Sequence, residues 1–209
     1  MSTYQSAHPG LDTWTQDLRA ACGHFDTELA FNRSLFIGEV STLSRGCLSL
    51  ASLRTNAGLI KRVRANPDHD NDQHCFLVSQ RSGYCQITQN DEVIRLAPGD
   101  MLLMDSTGSI EISPFGLIEH ASLSLSRNEV CKQLGNASKT FGKISSSKAC
   151  GRMLHVLMDQ LCREGLQGQD SMEEAQALQA AFVSLLGSAF DVDNTQGDSA
   201  ASLQGSNLR

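Results

Sequence analysis

The chain has 209 residues, with 17 Lys+Arg against 23 Asp+Glu and a formal charge of −6. A domain that grips duplex DNA or RNA neutralises phosphates with a dense cationic footprint, so this balance argues against nucleic-acid binding by the chain alone. Hydrophobic residues are 40% and charged ones 19%, the composition of a cored globular domain, and apolar runs such as Met101–Met104 are too short to cross a bilayer.

Leu11 to Cys22 places Trp14, Leu18, Ala21 and Cys22 at helical spacing, with Gly23 to end the helix. From about Glu28 to Arg127 short β-prone runs follow: Leu35–Val40, Leu48–Leu53, Leu59–Val63, Cys75–Gln80, Tyr84–Gln89, Glu92–Leu96, Met101–Met104, Ile110–Ser113 and Leu117–Leu125. Turn chemistry separates them, as at Ser82-Gly83, Asn90-Asp91 and Pro98-Gly99-Asp100. In the last run Ala121, Leu123 and Leu125 alternate with Ser122, Ser124 and Ser126, the period of a half-buried strand. Short strands without long helices between them predict an antiparallel sandwich or barrel.

Beyond Arg127 the pattern is helical. Glu129–Leu134 predicts a short helix closed by Gly135, and Met153, Leu154, Leu157, Met158 and Leu161 form an apolar stripe broken by Gly165 and Gly168. Ser171-Met-Glu-Glu174 is a capping box that opens a helix carrying Leu178, Ala181, Phe182, Leu185, Leu186 and Ala189. The two helices read as an antiparallel hairpin. Its stripes, with Leu154, Leu157, Met158, Leu161, Leu178, Phe182 and Leu185, either pack on the sheet or pair with a second copy. Asp191 to Arg209 is polar and reads as a linker or tail. The expected division is a barrel with its N-terminal helix over 1–135, a helical hairpin over 136–190 and a tail over 191–209.

The seven cysteines are far apart and include no CxxC, so they read as reduced, small hydrophobes. No secretion signal opens the chain, and the expectation is a cytoplasmic protein. No nucleophile elbow, phosphate loop, dinucleotide fingerprint or HExxH helix occurs. The acidic stretch Asp68–Asp72 begins like a calcium loop, but Gln73 and Ser79 stand where the loop needs glycine and a bidentate glutamate, leaving a solvated turn.

Gly83, a strand, a turn and Leu96-Ala97-Pro98-Gly99-Asp100-Met-Leu-Leu-Met-Asp105 resemble the centre of a cupin, a small double-sheet barrel. Enzymatic cupins hold a metal through histidines and a glutamate; the matching glutamate place is Phe76, a late histidine place is Ile110, and only His69 is available for the paired histidines. Carbon side chains cannot ligate a cation, so a metal-dependent cupin enzyme is the disfavoured alternative and no cofactor is expected. Strand parity turns Phe76, Val78, Gln80, Ile110 and Ile112 inward. They line either an apolar ligand cavity or a filled core in which Gln80 bonds to backbone, the latter suiting a module that only binds a partner.

The order Trp14, Cys22-Gly23-His24-Phe25, Gly46-Cys47-Leu48-Ser49-Leu50, Gln80-Arg81-Ser82-Gly83, Gln89, Leu96–Asp100 and Leu103-Met104-Asp105-Ser106 resembles the effector domain of AraC/XylS-type transcription activators. Within that family the likeness is to activators of phenylethylamine and tyramine catabolism. The resemblance implies a non-enzymatic ligand-binding barrel, homodimerisation through the C-terminal helices, a small aromatic amine or aldehyde as effector, and DNA contact through a helix-turn-helix domain missing from this chain. It places His120 where sugar-binding relatives contact their effector, and Arg62 where an arginine could orient a carbonyl or carboxylate.

Overall fold

A computed structural model describes residues 9–30, 35–45, 47–62, 73–135, 140–164 and 172–190. Helix α1 (Pro9–Cys22) leads into eleven strands: β1 (Asp26–Glu28), β2 (Gly38–Arg45), β3 (Leu48–Thr55), β4 (Leu59–Arg62), β5 (His74–Ser82), β6 (Cys85–Gln89), β7 (Glu92–Leu96), β8 (Met101–Asp105), β9 (Ile110–Pro114), β10 (Ile118–Ser126) and β11 (Gly142–Lys143). Helix α2 (Arg127–Leu134) interrupts them after β10, and α3 (Ala149–Glu164) and α4 (Met172–Ala189) complete the described chain. The strands form a five-stranded sheet, β1-β4-β9-β6-β7, and a six-stranded sheet, β11-β8-β5-β10-β3-β2, and all their pairings are antiparallel. The fold is mainly β, a cupin-like double-sheet barrel with a helix before it and helices after it.

Alternation along the six-stranded sheet sorts its side chains into two cores. Phe76, Val78, Leu102 and Met104 turn into the barrel and meet Ile60, Ile87, Ile110 and Ile112 of the other sheet. Cys75, Leu77, Met101, Leu103, Leu123 and Leu125 turn outward and meet Leu154, Met158, Phe182 and Leu186 of α3 and α4. Both faces of this sheet are thus covered, which is why all five residues of β8 are buried. On the serine face of β10 only Ser122, 6% exposed, is buried in the barrel, while Ser124 and Ser126 are partly exposed, so the half-buried alternation holds at the strand's end and gives way to two cores at its middle.

The helical stripe is committed within the chain: Leu154, Met158 and Phe182 have 0% exposure, while Leu157, Leu161, Leu178 and Leu185 are partly buried around them. The first three therefore have no surface to offer a second copy. What α3 does present to solvent is Met153 and Val156.

Local chemistry explains most boundaries. Gly83 reverses the chain between β5 and β6 at φ +70°, and a Cβ there would lie 2.2 Å from the Leu117 carbonyl oxygen. Asn90 and Asp91, at φ 48° and 70°, close the tight hairpin between β6 and β7. Strand β2 begins later than the expected Leu35–Val40, because the Asn56 amide accepts from Ile37 N at 2.8 Å and donates to the Leu35 carbonyl at 3.0 Å, occupying backbone groups that a ladder would need. Polar Ser41–Arg45 pair with β3 instead. Strands β1 and β11 have no apolar alternation to announce them; β1 is Asp-Thr-Glu, pairing with β4. Ser126 caps α2 by accepting from Glu129 N, a capping signal not read from the sequence. The capping box at Ser171 and the acidic turn at Asp68–Asp72 lie outside the described residues.

Candidate ligand cavity

The two sheets and α1 line an apolar cavity of about 30 Å³. Phe76 and Val78 from β5, Ile60 from β4, Ile112 from β9 and Met104 from β8 form its walls, and Leu18, Cys22 and Phe25 close it from the α1 side. Its polar groups are His120 and Ser122 of β10 and Thr55 of β3, and among the described residues no Asp, Glu, Lys or Arg lines it.

Of the residues expected to face inward, Phe76, Val78, Ile112 and His120 therefore come together around one space. Ile110 belongs to the same core, fully buried, but outside the lining. Arg62 is 4% exposed at the end of β4, opposite Ile110, and does not line the cavity either. The wall from α1 is the part sequence reasoning missed: the helical spacing of Leu18 and Cys22 showed an apolar face, with no local sign of what it would cover.

Gln80 stands behind His120 and orients it. Its amide nitrogen donates to the carbonyls of Ser82 at 2.8 Å and Gly83 at 3.0 Å, which turns Oε1 toward the His120 Nε2. An amide oxygen only accepts, so the histidine carries its proton on Nε2. The Cys85 thiol also points at Gln80 Oε1, at 3.3 Å, with its sulfur 3.5 Å from His120 Nε2. Gln80 is thus bonded to backbone and is not among the residues that line the cavity. Burial lowers the His120 pKa from 6.5 to about 4 and raises that of Cys85 to about 12, so both are neutral near pH 7. His120 is 3% exposed, not the half-exposed strand histidine that a lone His suggests.

Phe76 and Ile110, which the sequence comparison with enzymatic cupins sets at metal-ligand places, are buried carbon side chains of the barrel core and offer no ligand atom. Among the described residues, no group of three or more His, Cys, Asp and Glu gathers in a geometry able to hold an ion.

An apolar space with one oriented imidazole, inside a two-sheet barrel flanked by helices, defines a cupin-like domain. A solved structure similar to it is that of the AraC-like transcriptional activator CuxR, at a TM-score of 0.71 and 16% identity over 92% of this chain and 69% of that one. Two others align less fully. The cupin domain of an XRE-family transcriptional regulator from Enterobacter cloacae has a TM-score of 0.35 and 14% identity over 42% of this chain and 94% of that one. The cupin domain of Cnp3 from Schizosaccharomyces pombe has a TM-score of 0.37 and 9% identity over 52% and 75%. No protein-family model matches the chain, and no curated protein sequence does.

Proposed function

We propose that the chain is the effector-binding part of an AraC-type transcription regulator and that a small aromatic effector enters the barrel beneath α1. The observation that carries this reading is the cavity itself, with apolar walls for affinity and one fixed imidazole for orientation. The fold likeness to CuxR over 92% of the chain supports it. In this reading the barrel performs no chemistry, and DNA contact belongs to a separate helix-turn-helix domain. Copies of the chain pair through the exposed side of α3, where Met153 and Val156 lie.

Size dictates how an effector enters. A benzene ring occupies a cavity of roughly 150 Å³, several times the 30 Å³ present. The wall that can yield is α1, tied to its surroundings by an edge-on Trp14–Phe36 contact with centroids 5.7 Å apart, by the Arg19–Asp26 ion pair and by the Thr15–Thr27 hydroxyls. A guest binds better to the state with α1 displaced, shifts the population toward it, and so converts occupancy into a change on the surface.

The same small volume favours a second reading, a barrel filled for stability whose surface docks a partner. A thermal-shift series with phenylacetaldehyde, tyramine and arabinose separates the two. A ligand at a hundred times its Kd stabilises by about 2.7 kcal/mol and raises Tm. A rise with either aromatic compound, or with the neutral alcohol 2-phenylethanol in the same assay, supports the sensor; no rise with any of the four leaves the filled barrel.

A further inference from the structure

The effector reading leaves open what polar group the guest carries, and the cavity lining speaks to that. Among the described residues, none that lines the space is charged: Arg62, buried on the same strand face as Ile60, stands outside the lining, and Arg19 with Asp26, Lys61 with Glu28, and Arg54 with Glu39 and Glu119 form ion pairs elsewhere. An ammonium or carboxylate entering here would lose its water without meeting a counter-charge among the described lining residues. The one rigidly oriented polar group is His120. Its Nε2–H is directed to Gln80 Oε1, and Gln80 cannot turn over without losing two bonds to Ser82 and Gly83. The neutral ring therefore presents Nδ1 as a lone pair, and no described residue donates to that nitrogen. Ser122 and Thr55 add hydroxyls, which give or accept; Thr55 Oγ1 already accepts from Ala57 N at 3.1 Å.

Resting on the effector reading above, we propose that the guest of this cavity is uncharged and carries an O–H or N–H group that donates to His120 Nδ1. The protonated form of an aromatic amine is thereby rejected, and a neutral aromatic alcohol is accepted. Gln80 acts as the positioning residue, since it fixes the tautomer of His120 without touching the guest.

Calorimetric titration of the 209-residue chain at neutral pH with three near-isosteres tests this: 2-phenylethanol, propylbenzene and phenylethylammonium. The alcohol is expected to bind, and the ammonium to bind at least about a hundredfold more weakly. In His120→Leu the affinity of the alcohol relative to propylbenzene should fall about tenfold, a double difference in which hydration of the free ligands cancels. Ammonium binding within tenfold of the alcohol, or an unchanged ratio in His120→Leu, overturns the inference while leaving the cavity as an effector site. Binding of none of the three overturns the effector reading and this inference with it. The ammonium comparison needs only the wild-type protein, so it decides even if the variant fails to fold.

Discussion

The guanidinium of Arg127 grips both oxygens of the Asp105 carboxylate, with Nε 3.0 Å from Oδ1 and Nη2 3.1 Å from Oδ2. Asp105 ends β8 one residue after cavity-lining Met104, and Arg127 begins α2, so this pair fastens the barrel to the helical layer. Thr140 Oγ1 at 2.6 Å and Thr107 N at 2.9 Å also donate to the carboxylate. Burial alone would raise its pKa, but the bonds from Arg127, Thr140 and Thr107 outweigh burial and hold it below the usual carboxylate value.

Arg127→Ala leaves that carboxylate buried with its chief partner gone. Because the arginine side chain is 37% exposed, the loss should be about 2 kcal/mol, less than the 3–5 typical of a fully buried pair. Urea denaturation checks it. A depressed carboxyl pKa stabilises the fold above the ordinary value near pH ~4 and ceases to do so as pH falls through its folded value. Arg127→Ala should therefore narrow its gap to wild type in acid.

His120 is shifted down as well, and its contribution is likewise lost as pH falls, here because burial disfavours the charged ring. Its folded pKa is lowered from 6.5 to about 4, so the unfolded chain takes up a proton in that window and the folded chain does not. Its contribution to stability should be complete above pH 6.5 and fall by about 3 kcal/mol as pH drops toward 4. Comparing wild type with His120→Gln across that range isolates the effect. Parallel curves would mean that His120 charges as readily inside the barrel as in water.

Gly83→Ala forces a side chain onto a φ of +70° and against the Leu117 carbonyl, 2.2 Å away. A loss of about 3 kcal/mol is expected, because the carbonyl belongs to the three-residue bend between β9 and β10, held at both ends by strands of different sheets. Chemical denaturation measures it, and a change under 1 kcal/mol would mean the reversal is softer than its geometry.

The helical layer makes a contrasting pair of predictions. Phe182→Ala should cost about 3–5 kcal/mol, since the ring is wholly enclosed between α4 and the sheet. Met153→Ser, on the 56%-exposed side of α3, should leave stability within about 0.5 kcal/mol. Denaturation midpoints decide stability, and sedimentation analysis of Met153→Ser and Val156→Ser reads whether that face joins two copies.

The succession of strands along the chain was legible wherever alternation and turn chemistry are local properties, as from Cys75 to Leu125, while their order within the two sheets was not. The same alternation could not tell which face meets the barrel and which meets helices, because that depends on partners distant in sequence. Hence Leu154 and Phe182 read equally well as sheet-packing or pairing residues, and Ser122 as solvated. Phe76, Val78, Ile112 and His120 were found from parity and resemblance. Leu18, Cys22 and Phe25 were not, since nothing near α1 in sequence records the opening it covers.

The most direct measurement is an NMR titration of methyl-labelled protein with 2-phenylethanol, reading contacts between the aromatic protons and the methyl groups of Ile60, Val78, Ile112 and Ile118, all on the cavity wall. The account predicts saturable shifts and through-space contacts at these methyls, together with loosening of α1. Saturation of the protein with no contact at any of them would place the guest outside the barrel and contradict the account.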